Sequence, residues 1–148
     1  PAHQKLDRIL VTLDGSIHSE QALPYARALA TAFGSELILL IVPAVPESRN
    51  YRAPSGAIEA IRRKTVENMK DFLEAVARSL REDGLTVRTV VSGFTPGRTI
   101  MEISEKENAD MIIMTSQGRG GMDLFFMGSF AQTVGQKSDK PVFIVPIT

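Results

Sequence analysis

Short apolar runs and amphipathic stretches alternate along the chain. Ile9-Leu10-Val11-Thr12-Leu13 is apolar and ends at Asp14-Gly15-Ser16, the pattern of a strand followed by a turn. From Ser19 to Phe33 the chain is rich in Ala and Leu, which predicts a helix with Ser19 as N-cap and Gly34 as stop. Pro24 falls inside that helix, where propensity does not explain it. Leu37 to Val42 is apolar without alternation, as in a strand covered on both faces. From Pro43 to Ala57 a segment with three prolines exceeds an ordinary connection and is predicted to form a lid. Ile58, Ile61, Thr65, Met69, Phe72, Val76 and Leu80 then recur at helical spacing, with Arg, Lys and Glu opposite, up to a stop at Gly84. Val87 to Val91 reads as the third strand. Pro96 suits the first turn of a helix reaching about Asn108. Met111 to Thr115 is the fourth strand, a further helix closes at Lys137, and Val142 to Val145 is the fifth strand.

Strands alternating with helices predict an α/β fold: a parallel sheet with right-handed crossovers and helices on both faces. Ligands of such sheets bind outside the carboxyl ends of the strands, where the strand order reverses. Those ends are Leu13-Asp14-Gly15, Val42-Pro43, Ser92-Gly93 and Thr115 to Gly118. Three of the four carry glycine, which permits close backbone approach to a ligand. The last end is the most informative. Met114-Thr115-Ser116-Gln117-Gly118 is followed by nine residues and then by Gly128-Ser129, which opens a helix. A strand, a glycine-bearing loop and a helix N-terminus in that order offer unpaired N–H groups and a positive dipole end to a phosphate. The competing reading is a surface loop whose Ser129 caps its own helix.

Composition narrows the classes. The 148 residues, 43% hydrophobic and 23% charged, have the size and balance of one globular domain. Seventeen basic and seventeen acidic residues cancel, so electrostatics make no case for nucleic acid. With no cysteine, disulfides, thiolate catalysis and Cys-based metal sites are excluded. No apolar run approaches ~18 residues and Pro1 to Lys5 lacks the apolar centre of an export signal, so no membrane partner and a cytoplasmic location are expected. No Walker loop is present. Gly118-Arg119-Gly120-Gly121-Met122-Asp123 fails the dinucleotide fingerprint in its last position and follows the fourth strand rather than the first. His3 and His18 lie apart from the loop, and no nucleophile elbow, zinc-protease motif or carboxylate pair at a spacing that argues for a metal occurs, so no catalytic or metal-ligating residue is assigned.

Several stretches together resemble the universal stress protein family, over nearly the whole chain. They are Val11 to Ser16 with Ser19-Glu20 and Ala22-Leu23; Gly93, Pro96 and Ile100; Gly118, Gly128 and Ser129; and Lys140 to Pro146. The family signature is G-x2-G-x9-G-[ST]. Gly118, Gly128 and Ser129 match it, and Thr115 stands where its first glycine would be.

The resemblance implies one universal stress protein domain over residues 1–148. Its fold is a five-stranded parallel sheet of order 3-2-1-4-5, of the adenine nucleotide alpha hydrolase-like type. It implies a site for ATP, or ADP or AMP, with Mg²⁺ arriving through the phosphates, lined by Thr12, Leu13, Asp14, Val42, Met114, Thr115, Gly118, Arg119, Gly128, Ser129 and Phe130. Asp14 would accept the ribose hydroxyls, against a plain role in capping its turn. Val42 would meet adenine. Gly118, Gly128 and Ser129 would hold the phosphates through N–H groups and the Ser hydroxyl, Arg119 would pair with the outer phosphates, and Phe130 would narrow the site or pack beneath its helix. With no lysine in a phosphate loop and no evident base, slow ATP hydrolysis at most is expected of a stress-response sensor or regulator. A homodimer through the last strand, Val142 to Ile147, would cover an apolar edge that Pro146 only partly blunts. The alternative is a dimeric interaction protein of the same fold that holds no nucleotide.

Overall fold

The structure is a computed structural model. It describes residues 5–43, 56–93, 95–116 and 129–148, with the backbone alone at 96, 129 and 130. Five strands, β1 (Arg8–Leu13), β2 (Glu36–Ile41), β3 (Val87–Val91), β4 (Met111–Thr115) and β5 (Val142–Val145), form a parallel sheet of order β3-β2-β1-β4-β5. The chain runs outward from β1 to β3 and then returns to the other side of β1, so the order reverses between β1 and β4. Arg8 faces Glu36 at the start of the β1–β2 register and Leu13 faces Ile41 at its end.

The period of two along each strand sorts the core into two layers. Ile9, Val11, Leu13, Leu37, Leu39, Ile41, Ile113 and Val145 pack with Ala26 and Ala30 of helix α2 (Leu23–Phe33), with Ala22 just before it, and with Leu73, Ala77 and Leu80 of α3 (Ala57–Glu82). Leu10, Ile38, Leu40, Ile112 and Met114 pack on the opposite side with Ile100 and Ile103 of α4 (Pro96–Lys106) and Ala131 and Val134 of α5 (Ser129–Lys137). Both faces of β1 and β2 are thus closed to water, which is why their sequences are apolar without alternation.

Three sequence expectations change. The helix predicted from Ser19 to Phe33 is two: α1 (Ile17–Glu20), capped by Ser16, and α2, in whose first turn Pro24 lies. Proline has no N–H to donate, and in a first turn none is required, so the break accommodates it. Ser19 is therefore not the cap but a buried residue of α1. Strand β2 ends at Ile41 and Val42 follows it. Helix α4 ends at Lys106, because Asn108 takes a left-handed conformation (φ 53°) and the Ala109 N–H closes the turn on the Ser104 carbonyl at 2.9 Å. The stops at Gly34 and Gly84 are as expected, both with positive φ. Residues 44–55 of the predicted lid lie outside the described residues; Pro43 is buried against the end of β2.

At the amino ends of the strands, Asp110 Oδ2 accepts the N–H groups of Asp7 and Arg8 (2.9 and 3.0 Å), tying β4 to β1. Beside it Arg88 bridges Glu36 (2.7 Å) and Glu107 (2.9 Å), and the Glu36 hydrogen bond holds the Arg88 guanidinium above the usual arginine range. This charged row lies at the sheet end opposite the carboxyl ends of the strands.

Candidate functional site at the carboxyl ends of the strands

The turn after β1 is closed by its own side chains. The Ser16 N–H donates to Asp14 Oδ1 (2.8 Å), and Gly15 supplies the positive φ (86°) that the turn needs. The Ser19 N–H donates to Ser16 Oγ (3.1 Å); the Ser19 hydroxyl donates to the Ser16 carbonyl (3.0 Å) and accepts the Asp14 N–H (3.2 Å). One carboxylate oxygen of Asp14 is thus committed to an Asx turn, the role weighed against ribose binding. A carboxylate has about four acceptor sites, so the turn bond does not by itself exclude a ligand there.

The crevice residues divide by face. Thr12 pairs with Leu40, whose side chain belongs to the α4–α5 layer; Val42 and Met114 pack in that same layer. Leu13 is buried in the α2–α3 layer. Thr115 pairs with Val145 of that layer and is itself 7% exposed. The sequence grouped all five with Asp14. The fold brings Thr12, Val42 and Met114 together on the side where α5 begins and turns Leu13 and Thr115 to the other. Gly118, Arg119 and Gly128 lie outside the described residues. Ser129 and Phe130 form the first two positions of α5, described by their backbone.

Two features of this end were not anticipated. Gly93 has φ +70°, and a Cβ added there would overlap Thr99 Oγ1 of α4, with Thr99 Cγ2 at 2.9 Å. The end of β3 therefore lies directly on α4, a close approach signalled in the sequence only by the glycine itself. Ser116 anchors the exit of β4: its N–H donates to the Val145 carbonyl (2.8 Å) and its hydroxyl accepts the Ile147 N–H (3.4 Å). Gln21, after α1, accepts the Thr148 N–H at 2.9 Å. Among the described residues no group of three or more His, Asp or Glu is placed to hold a metal ion.

A doubly wound α/β protein whose strand order reverses between β1 and β4 is the class these observations define. Sequence comparison specifies it further: the universal stress protein family matches residues 5–146, and the chain belongs to that family. A universal stress protein of Thermus aquaticus is 32% identical over 139 residues, covering 93% of this chain and 96% of that one. Universal stress protein MJ0531 of Methanocaldococcus jannaschii is 29% identical over 138 residues, covering 93% and 81%. Among solved structures, protein MJ0577 of the same archaeon superposes with a TM-score of 0.82 at 30% identity over 95% of each chain. Two more distant structures of this fold hold nucleotides. One is a universal stress protein in complex with cAMP (TM-score 0.70, 20% identity, 96% and 98% covered). The other, from Archaeoglobus fulgidus, is in complex with dAMP (TM-score 0.61, 17% identity, 97% and 99% covered).

Proposed function

We propose that this chain is a single universal stress protein domain that binds an adenine nucleotide, ATP or its products, and acts as a sensor or regulator rather than a fast enzyme. The observation that carries the reading is the convergence of Thr12, Val42 and Met114 on the side of the sheet where α5 starts. Helices of such folds run back against their strands, so α5 directs its first-turn N–H groups to the carboxyl end of the sheet. Phosphates would sit there, held by Gly118, Gly128, Ser129 and Arg119. Asp14 would take the ribose, and Val42 would cover adenine. Mg²⁺ would enter on the phosphates. The cAMP and dAMP complexes of the two distant relatives support the ligand class.

The same reading includes a homodimer through β5. The two sheet edges are unlike. At β3, Arg81 of α3 donates through Nε and Nη2 to the Val87 carbonyl (3.2 and 2.7 Å), which occupies the edge. At β5, Phe143 is 38% exposed and meets the exposed Tyr25 of α2, with ring centroids 5.5 Å apart and planes tilted by 39°. Apolar side chains beside an edge strand favour a second copy there. This pair also favours the alternative, an interaction protein without nucleotide.

Protein shown to be nucleotide-free separates the two readings. If ATP binds at about 1 µM, 1 mM ATP stabilises the fold by ~4 kcal/mol and raises Tm by ~8–16 °C. A rise below one degree rejects the nucleotide site and leaves the interaction protein.

A further inference from the structure

Thr115 stands at the position where the family signature has its first glycine, and a Cβ with a hydroxyl there is the plainest objection to a phosphate site in this chain. The register of the sheet answers it. Strand β4 stays regular to its last residue: Ile112 pairs with Val142, Ile113 with Phe143, Met114 with Ile144 and Thr115 with Val145. Paired residues of a parallel ladder share a face. Met114 and Ile144 pack in the α4–α5 layer; Ile113 and Val145 pack in the α2–α3 layer. The Thr115 side chain therefore leaves the sheet on the α2–α3 side, where it is buried, while the first turn of α5 lies across the sheet. Its backbone is extended, so the position needs no glycine φ, and β-branched side chains fit a pleated ladder well. The bend comes one residue later, at Ser116, held by Val145 and Ile147.

We propose that Thr115 is a platform residue: it extends the β4–β5 ladder at the carboxyl end of the sheet, and its side chain neither blocks nor contacts the nucleotide. The inference rests on the nucleotide reading above and adds that this chain's departure from the signature leaves affinity intact. It also makes the site one-sided, with bulk tolerated on the Thr115 face and not on the Thr12 face.

Calorimetric titration of ATP into nucleotide-free wild type, Thr115→Gly, Thr115→Val and Thr12→Leu tests it. The Gly variant removes any obstruction; the Val variant keeps the branched shape, removes the hydroxyl and guards against a Gly variant that does not fold. The expected result is a Kd within threefold of wild type for both Thr115 variants, a lower Tm for Thr115→Gly, and at least tenfold weaker binding for Thr12→Leu. Binding by Thr115→Gly more than threefold tighter than wild type shows an obstructing side chain and overturns the inference. A larger loss on Thr115→Val shows a contacting hydroxyl and overturns it too, as does unchanged binding by Thr12→Leu. If neither wild type nor Thr115→Gly binds ATP, the nucleotide reading itself fails and this inference with it.

Discussion

Gly93 and Thr99 meet with no room for a Cβ between them. The glycine ends the β3 segment at φ +70°, and the threonine, 7% exposed on α4, fills the space a side chain would take. Both restrictions act on the same substitution. Gly93→Ala combines a left-handed alanine, ~1–2 kcal/mol, with overpacking, ~1–3 kcal/mol. A loss of about 2–5 kcal/mol in urea unfolding is expected. Adding Thr99→Ala should restore the packing share and not the conformational share. Equal losses in the single and double variants would show that the contact carries no energy.

Asp14 has two roles that substitution can separate. Asparagine keeps an oxygen for the Ser16 N–H and so preserves the turn, but it loses the charge that strengthens bonds from ribose hydroxyls. Asp14→Asn should leave Tm within a degree or two and weaken ATP about tenfold to a hundredfold, from ~1.5–3 kcal/mol for a hydrogen bond to a charged group. Ser16→Ala should do the reverse and cost ~1 kcal/mol of stability through the lost cap. A large Tm fall in Asp14→Asn with normal affinity would assign the residue to the turn alone.

Acid stability should depend on Glu74. The Thr89 hydroxyl donates to it at 2.7 Å and Arg81 at 3.1 Å, and the Thr89 bond first, then Arg81, holds its carboxyl below the ordinary glutamate value of 4.5. A group whose pKa is lowered on folding stabilises the fold above its unfolded value, and that contribution disappears as pH falls through the lowered folded value. The pair is largely solvent-exposed, so the effect is modest. Glu74→Gln should lower stability at pH 7 and match wild type once the pH is well below 4.5. Chemical unfolding across pH 3–7 reads this directly; a difference that persists undiminished at the acid end rules out the charged form as its source.

The exposed pair Tyr25 and Phe143 beside β5 predicts where association fails. Tyr25→Glu with Phe143→Glu places like charges beside β5 without entering the core. Sedimentation should show a wild-type dimer and a monomeric double variant whose far-UV spectrum is unchanged. A double variant that still dimerises moves the interface elsewhere.

Much of this protein was legible in one dimension. Apolar runs of strand length alternating with helical periods determined the parallel two-layered sheet, because period and length are local properties that burial on two faces imposes directly. Glycines at the carboxyl ends marked the candidate functional end for the same local reason. Pro24 signalled only a misfit in the single predicted helix; the break at Gln21 and Ala22 depended on Ser16 reaching Ser19. What only the tertiary structure decided was sidedness. Leu13 and Thr115 stand beside Thr12 and Met114 in the chain, yet their side chains enter opposite layers, because a one-residue step along a strand reverses direction and the ladder to β2 and β5 fixes which direction is which. No linear motif carries that information. It exists only once the neighbouring strands are in register.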